Sequence, residues 1–263
     1  MNDKEIKNAN RRAMPKFIAF FAVCAFIGGV IGFLASKYGL SGLTDELRGA
    51  GAFFGTYIAP WLLLVLAIIS PAACAALYRS SEKLIASWDG ENEELADHFE
   101  GRLSAALWIS STVLVLSYFL IAAAYSGGIS AIDSGRGIAL FGLSVVALLA
   151  ITVESAVIQQ KCVDAVKKTN PEKTASVYDM RFRKKWVDSC DEAEKLIIGK
   201  CAFKAYTSTN TVCAALAVVL AVCALIFEIG FLPSLSVCII WLVSLSAYYK
   251  EAMRYSKAGT RIS

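Results

Sequence analysis

The sequence predicts an all-α fold: a polytopic transmembrane bundle of six spans arranged as three helical hairpins, with cytoplasmic helical extensions. Three observations predict it. The 263-residue chain is 57% hydrophobic and 18% charged, with mean hydropathy +0.56. Soluble domains carry about 45–50% apolar and about 25% charged residues. Charge is excluded from six blocks, 17–36, 49–78, 103–132, 137–153, 205–227 and 229–249, each near or above the roughly 20 residues that a helix needs to cross hydrocarbon. Lysine and arginine collect on alternate connections. Long, continuously apolar blocks favour helices over barrel strands, which alternate over about 10 residues. This composition excludes a soluble enzyme, a nucleic-acid-binding domain and a secreted disulfide scaffold.

The elements follow in order. Span 1, about 17–36, comes after Lys4, Lys7, Arg11, Arg12 and Lys16. It reads as an uncleaved anchor: it is longer than the usual signal-peptide core of about 7–15 residues, and no small-x-small site follows Ser36. Gly28 and Gly32 give it a small-x-x-x-small face. Span 2, about 53–78, has a similar pair, Gly51 and Gly55, and carries Pro60 and Pro71. Proline removes a backbone donor, so a kink near Pro60 is expected. Span 3 covers about 103–125 and span 4 about 138–159. Spans 5 and 6, about 205–227 and 229–249, meet in a tight turn at Glu228, followed by Gly230 and Pro233. Asp133 and Arg136 form a similar outer turn between spans 3 and 4. The whole chain, 1–263, reads as one integral membrane domain with inner loops at 79–102 and 160–204.

Orientation follows from basic residues. The N-terminal tail, the two inner loops and the C-terminal tail hold 23 of the 26, and the opposite side holds Lys37, Arg48 and Arg136. Both termini are therefore expected in the cytoplasm. The eight cysteines fall within spans or on the inner side, where thiols stay reduced. There is no C-x-x-C pair and a single histidine, His98, so neither a metal centre nor any other cofactor is expected.

Two inner segments look alike. A shift of 98 aligns Trp88 with Trp186, Glu94 with Glu192, Gly101 with Gly199 and Ser110 with Ser208. A duplication of this kind relates two parallel entry helices by an axis along the membrane normal; chance among biased compositions is the competing reading. The acidic residues Asp191, Glu192 and Glu194 open the second entry helix, where the helix dipole favours negative charge.

The block Asn170-Pro171-Glu172-Lys173, Val177-Tyr178-Asp179, Phe182, Lys184-Lys185-Trp186 and Ser189 to Lys195 resembles a signature of uncharacterised bacterial membrane proteins, the domain-of-unknown-function 3169 family. The layout of spans is similar over nearly the whole chain. The resemblance implies a bacterial inner-membrane protein and supplies no activity, substrate or catalytic residue.

Candidate functional positions are few. Glu154 lies inside span 4, seven residues and about 10 Å of helix before Lys161. An ionisable group there is costly and marks a functional hypothesis. Thr207, Ser208, Thr209 and Asn210 in span 5, and Ser110 and Ser111 in span 3, lie at similar depth. A polar cavity is expected where these meet; the alternative is that Glu154 reaches the interface, or pairs with Lys161 or a neighbouring hydroxyl, for packing alone. A second patch, Arg181, Arg183, Lys184, Lys185 and Trp186, fits an anionic lipid surface, where each basic residue contributes on the order of 1 kcal/mol. A protein partner is the competing occupant, and no nucleic acid is expected. No phosphate-binding loop, zinc-protease or nucleophile-elbow motif occurs in the sequence. The leading expectation is a non-enzymatic accessory or structural component of the bacterial cytoplasmic membrane, with cytoplasmic helices that bind a partner or the lipid bilayer. The alternative is a permease subunit of an exporter driven by a separate ATPase. An intramembrane enzyme lacks a paired acid and base.

Overall fold

The computed structural model describes residues 49–126, 135–170, 172–173, 175–227 and 230–257, with scattered positions between 14 and 46. The described residues are helical, with turns and no strand. Five helices among them are long and apolar enough to cross a membrane. The sixth expected span, 17–36, is described at Ile18, Ala19, Ala22, Val23, Phe26, Gly29, Val30 and Phe33, all of them helical. Gly28, Gly32, Cys24, Asp133 and Glu228 lie outside the described residues.

A helix beginning at Gly49 passes through a π-helical turn, Phe54–Ile58, into α1 (Ala59–Ser87). The turn has a chemical cause. Pro60 has no N–H to give to the carbonyl four residues back, and its ring crowds that carbonyl. The chain widens by one residue, and the Ala59 N–H returns to the Phe54 carbonyl. Pro71 lies inside α1, which continues through it.

The connection to α2 (Glu93–Ala124) is tight. Asp89 Oδ1 accepts from the N–H groups of Glu91 and Asn92, and Gly90 takes φ +92°. Asn92 then caps the helix by accepting from the Leu95 N–H at 3.0 Å. The inner loop expected at 79–102 is thus mostly helix: α1 and α2 extend well past their apolar cores and turn in a few residues. Helix α3 (Gly135–Thr169) ends on Lys167 and Lys168, where the dipole favours cations. The short α4 (Phe182–Asp188) precedes α5 (Glu192–Phe227) and α6 (Leu232–Lys257). Helix α6 starts three residues later than expected because Gly230 takes φ +73° in the turn, and Pro233 suits its first turn.

The chain divides into two compact units. One, 47–197, contains α1, α2, α3 and α4. The other contains most of α5, all of α6 and the described positions up to Glu46. In the first, α1, α2 and α3 pack on one another in two apolar clusters. Ala59, Leu63, Val113, Leu120, Ala124, Ala147 and Ile151 form one. Cys74, Phe99, Leu103, Ala106, Ile158, Cys162 and Ala165 form the other, nearer the basic ends of the helices. In hydrocarbon, leaving lipid for protein brings no hydrophobic gain, so close approach decides the packing. Serine supplies it. Ser70 and Ser81 on α1, Ser110 and Ser117 on α2, and Ser144 and Ser155 on α3 are all at most 2% exposed. Within each helix the pair is 11, 7 or 11 residues apart, which is two or three turns on one face. Ile68, Ile69, Val115, Val146 and Val153 face outward, where hydrocarbon is the natural solvent.

In the second unit the rings of Tyr206 and Tyr248 stack with centroids 4.6 Å apart, tying α5 to α6.

Candidate functional site

Glu154 sits on α3 in a polar layer between the two apolar clusters. The clusters are matched by Leu63, Val113 and Ile151 on one side and by Cys74, Ala106 and Ile158 on the other. Ser70, Ser110, Glu154 and Ser155 fall at the level between them. Ser70 Oγ donates to Glu154 Oε2 at 3.2 Å. Glu154 Oε1 is buried and, among the described residues, has no hydrogen-bond partner; the same holds for Ser110 Oγ. Glu154 forms no ion pair with Lys161. The Lys161 ammonium lies instead over the Tyr78 ring, 5.6 Å from its centroid.

A pocket of about 310 Å³ opens beside Glu154 between α1 and α3. Its charged and polar lining is Glu154, Cys74, Tyr78, Arg79, Glu82 and Lys161. Glu82 accepts from the Tyr78 hydroxyl at 2.9 Å and pairs with Lys168 at 3.4 Å. Cys74 and Cys162 turn their thiols toward the carbonyls of Ala106 and Leu103 at 3.6 and 4.0 Å. These are packing contacts of weak donors.

The remaining residues expected at this cavity are Ser111, Thr207, Ser208, Thr209 and Asn210. Ser111 is exposed on α2, away from buried Ser110. Thr207, Ser208, Thr209 and Asn210 belong to the other compact unit. There the Thr207 hydroxyl bonds the carbonyls of Phe203 and Lys204, a local use typical of threonine in a helix. Ser208 and Thr209 are exposed. Asn210 Oδ1 is buried with no hydrogen-bond partner among the described residues. His98 is exposed on α2.

The basic-aromatic run is part of a folded lobe. Gln160 Oε1, near the basic end of α3, accepts from the Val177 N–H at 2.8 Å and the Ser176 hydroxyl at 3.1 Å. This pins the 175–178 stretch to α3. Asp191 and Glu194 form a capping box: Asp191 Oδ1 accepts from the Glu194 N–H at 2.7 Å, and Glu194 Oε2 from the Asp191 N–H at 3.0 Å. Lys173, only 3% exposed, holds the lobe together. It pairs with Glu194, meets Cys190 Sγ at 3.2 Å and lies 5.4 Å from the centre of the Trp186 ring. Burial works against the charge on Lys173, but the bonds to Glu194 and Cys190 outweigh it and leave its pKa raised. Glu194, outside the uncharged stretch that begins at residue 205, is held below the usual carboxylate range by Lys173.

Within the patch, Trp186 turns inward against Lys173 and Phe182, and Lys185 pairs with Asp179. That ammonium, with the Arg181 N–H, holds the Asp179 carboxyl low. Arg181, Arg183 and Lys184 remain exposed and form no ion pair among the described residues.

Sequence reading missed Lys173, Ser70, Arg79 and Tyr78. The only signal for Ser70 was the serine spacing, and Lys173 looked like any other lysine in a basic loop. Among the described residues, no group of three or more His, Cys, Asp or Glu is placed to hold a metal. No curated protein and no solved structure matches the chain. The family model described as protein of unknown function (DUF3169) matches residues 11–252, so this multi-pass membrane protein belongs to that family.

Proposed function

We propose that the chain is a six-span protein of the bacterial cytoplasmic membrane, with both termini inside, acting as a non-enzymatic accessory component. Its cytoplasmic lobe docks on anionic lipid headgroups and so holds a surface for a partner at a fixed height. One observation carries this reading. Arg181, Arg183 and Lys184 are exposed, free of acidic partners among the described residues, and fixed on or beside a short helix that belongs to a folded lobe. A solvated loop would scatter such charges; here they are carried by a segment that the Gln160 and Lys173 contacts hold in a folded lobe.

The test is hydrogen exchange of the full chain in nanodiscs. In nanodiscs containing phosphatidylglycerol, residues 175–190 are expected to gain protection over phosphatidylcholine alone. Replacing Arg181, Arg183 and Lys184 together with glutamine removes the gain, at about 1 kcal/mol per residue. Equal protection in the two lipids rejects the docking role.

A second reading, a permease subunit driven by a separate ATPase, is favoured by the pocket beside Glu154. A carboxylate-bearing residue that lines an open pocket at mid-bundle is a feature that packing alone does not require.

A further inference from the structure

We propose that the turn at 177–180 is an apolar anchor of the lobe, with Tyr178 and Met180 inserted at the boundary of headgroups and acyl chains. The inference rests on the lipid-docking reading. It adds a second, uncharged contact, made by residues outside the basic run.

Helix α3 fixes the height of the turn. Gln160 and Lys161 directly follow the span expected at 138–159, so Gln160 marks where α3 leaves hydrocarbon. Tyr78 and Arg79 end the uncharged block of α1. The Lys161 ammonium over the Tyr78 ring puts the two boundaries at one level. Gln160 Oε1 accepts from the Val177 N–H at 2.8 Å and from the Ser176 hydroxyl at 3.1 Å. One side chain's length thus separates the backbone at Val177 from the edge of the span.

The turn itself is built rather than loose. The Asp179 N–H donates to the Ser176 carbonyl at 3.0 Å, and the Phe182 N–H to the Asp179 carbonyl at 2.9 Å. Within this frame Tyr178 is 69% exposed and Met180 104%, so neither packs on the lobe. A single exposed apolar residue signals nothing. Two of them on an ordered turn at the edge of a span are placed where tyrosine is enriched and where a flexible thioether can settle among acyl chains. Charge selects lipid over a protein partner as the occupant. Asp179, the acid between them, is paired with Lys185. The cations that follow, Arg181, Arg183 and Lys184, complement an anionic leaflet.

Methionine methyl groups report the contact directly. The chain has four methionines, so the full chain carrying methyl-13C methionine in nanodiscs gives few resonances, and Met180→Leu identifies the one from Met180. A nitroxide on the lipid chain near the headgroup is expected to broaden it, and a water-soluble gadolinium chelate to leave it sharp. The lipid contact should persist in about 1 M salt, which screens the neighbouring cations. Replacing Tyr178 and Met180 together with serine, both at exposed positions, should speed amide exchange at 177–182 at least about tenfold in phosphatidylcholine nanodiscs, as the loss of a buried methionine does. Broadening by the chelate and not by the lipid nitroxide overturns the anchor. If residues 175–190 still gain protection from phosphatidylglycerol, the docking reading survives without it. Shielding of Met180 from both agents means that protein covers the turn, and also overturns the anchor, as does unchanged exchange in the double variant.

Discussion

Lys173 and Glu194 show how much depends on which partner of an ion pair is enclosed. Lys173 is 2% exposed at its side chain and Glu194 37%. Removing the carboxylate leaves an enclosed ammonium without its counter-charge, whereas removing the ammonium leaves a carboxylate that water can reach. Glu194→Gln is therefore expected to open the lobe more than Lys173→Met, by about 1–3 kcal/mol. Limited proteolysis after Arg181 to Lys185 measures it; a more labile Lys173→Met variant contradicts the assignment. The pH dependence follows from the same pair. The lowered Glu194 pKa contributes stability that is present above the ordinary glutamate value and lost as pH falls through the lowered one. The raised Lys173 pKa contributes stability that is present below the ordinary lysine value and lost as pH rises through the raised one. The lobe should thus resist protease across the window between the two ordinary values and loosen on either side. Glu154 was legible in the sequence because a charge inside an apolar run has few explanations. Lys173 was not, because nothing in a basic loop distinguishes the one lysine that is buried from the eight others.

At the scale of elements, the α1–α2 contact turns on one glycine. A Cβ on Gly55 would overlap the carbonyl oxygen of Ala123, which belongs to backbone and has no rotamer to retreat into. Gly55→Ala must push the helices apart and is expected to cost roughly 1–3 kcal/mol. Gly101, on the part of α2 beyond its apolar core, has open space around a Cβ. Gly101→Ala should stabilise by roughly 0.5–1 kcal/mol through helix propensity alone. Thermal unfolding of the two variants in detergent should therefore shift in opposite directions; a common direction would mean that the close approach at Gly55 does not hold the pair. The glycine spacing of span 2 and an irregularity near Pro60 could be read beforehand, since both come from local backbone chemistry. The choice of Gly55 over Gly51 depends on what α2 presents, and pattern within one helix contains no information on its neighbour. The two look-alike entry segments are built to one plan: a tryptophan, a side-chain cap at Asn92 or Asp191, acidic residues in the first turn, then a long helix. The caps are offset by 99 residues where the sequence match is offset by 98, because Trp186 is followed by one residue more before its cap.

For the molecule as a whole, the spans were legible because each is a long uncharged block, and the lengths of the helices were not. Helices α1, α2, α3 and α5 run beyond their apolar blocks by two turns or more at the basic end. Charged residues there keep helical spacing, and hydropathy alone reads them as loop. The basic ends are consequently helix rather than loop, and the proposed topology puts them in the cytoplasm. A native residue tests it. Cys201 is exposed, between Lys200 and Lys204 on α5, while Cys74, Cys162, Cys190 and Cys213 are buried. Only the thiolate reacts readily, and only a thiol in contact with water forms it. In a variant whose sole cysteine is Cys201, a membrane-impermeant maleimide should label inside-out vesicles and leave intact cells unlabelled. A second variant with its sole cysteine in place of Ser263 should behave the same way, because the even number of crossings returns the chain to the side it started from. Labelling of Cys201 in intact cells would place the lobe, its exposed Arg181, Arg183 and Lys184 and the mouth of the Glu154 pocket on the outer face. The lipid docking proposed for the lobe would then have to involve the other leaflet.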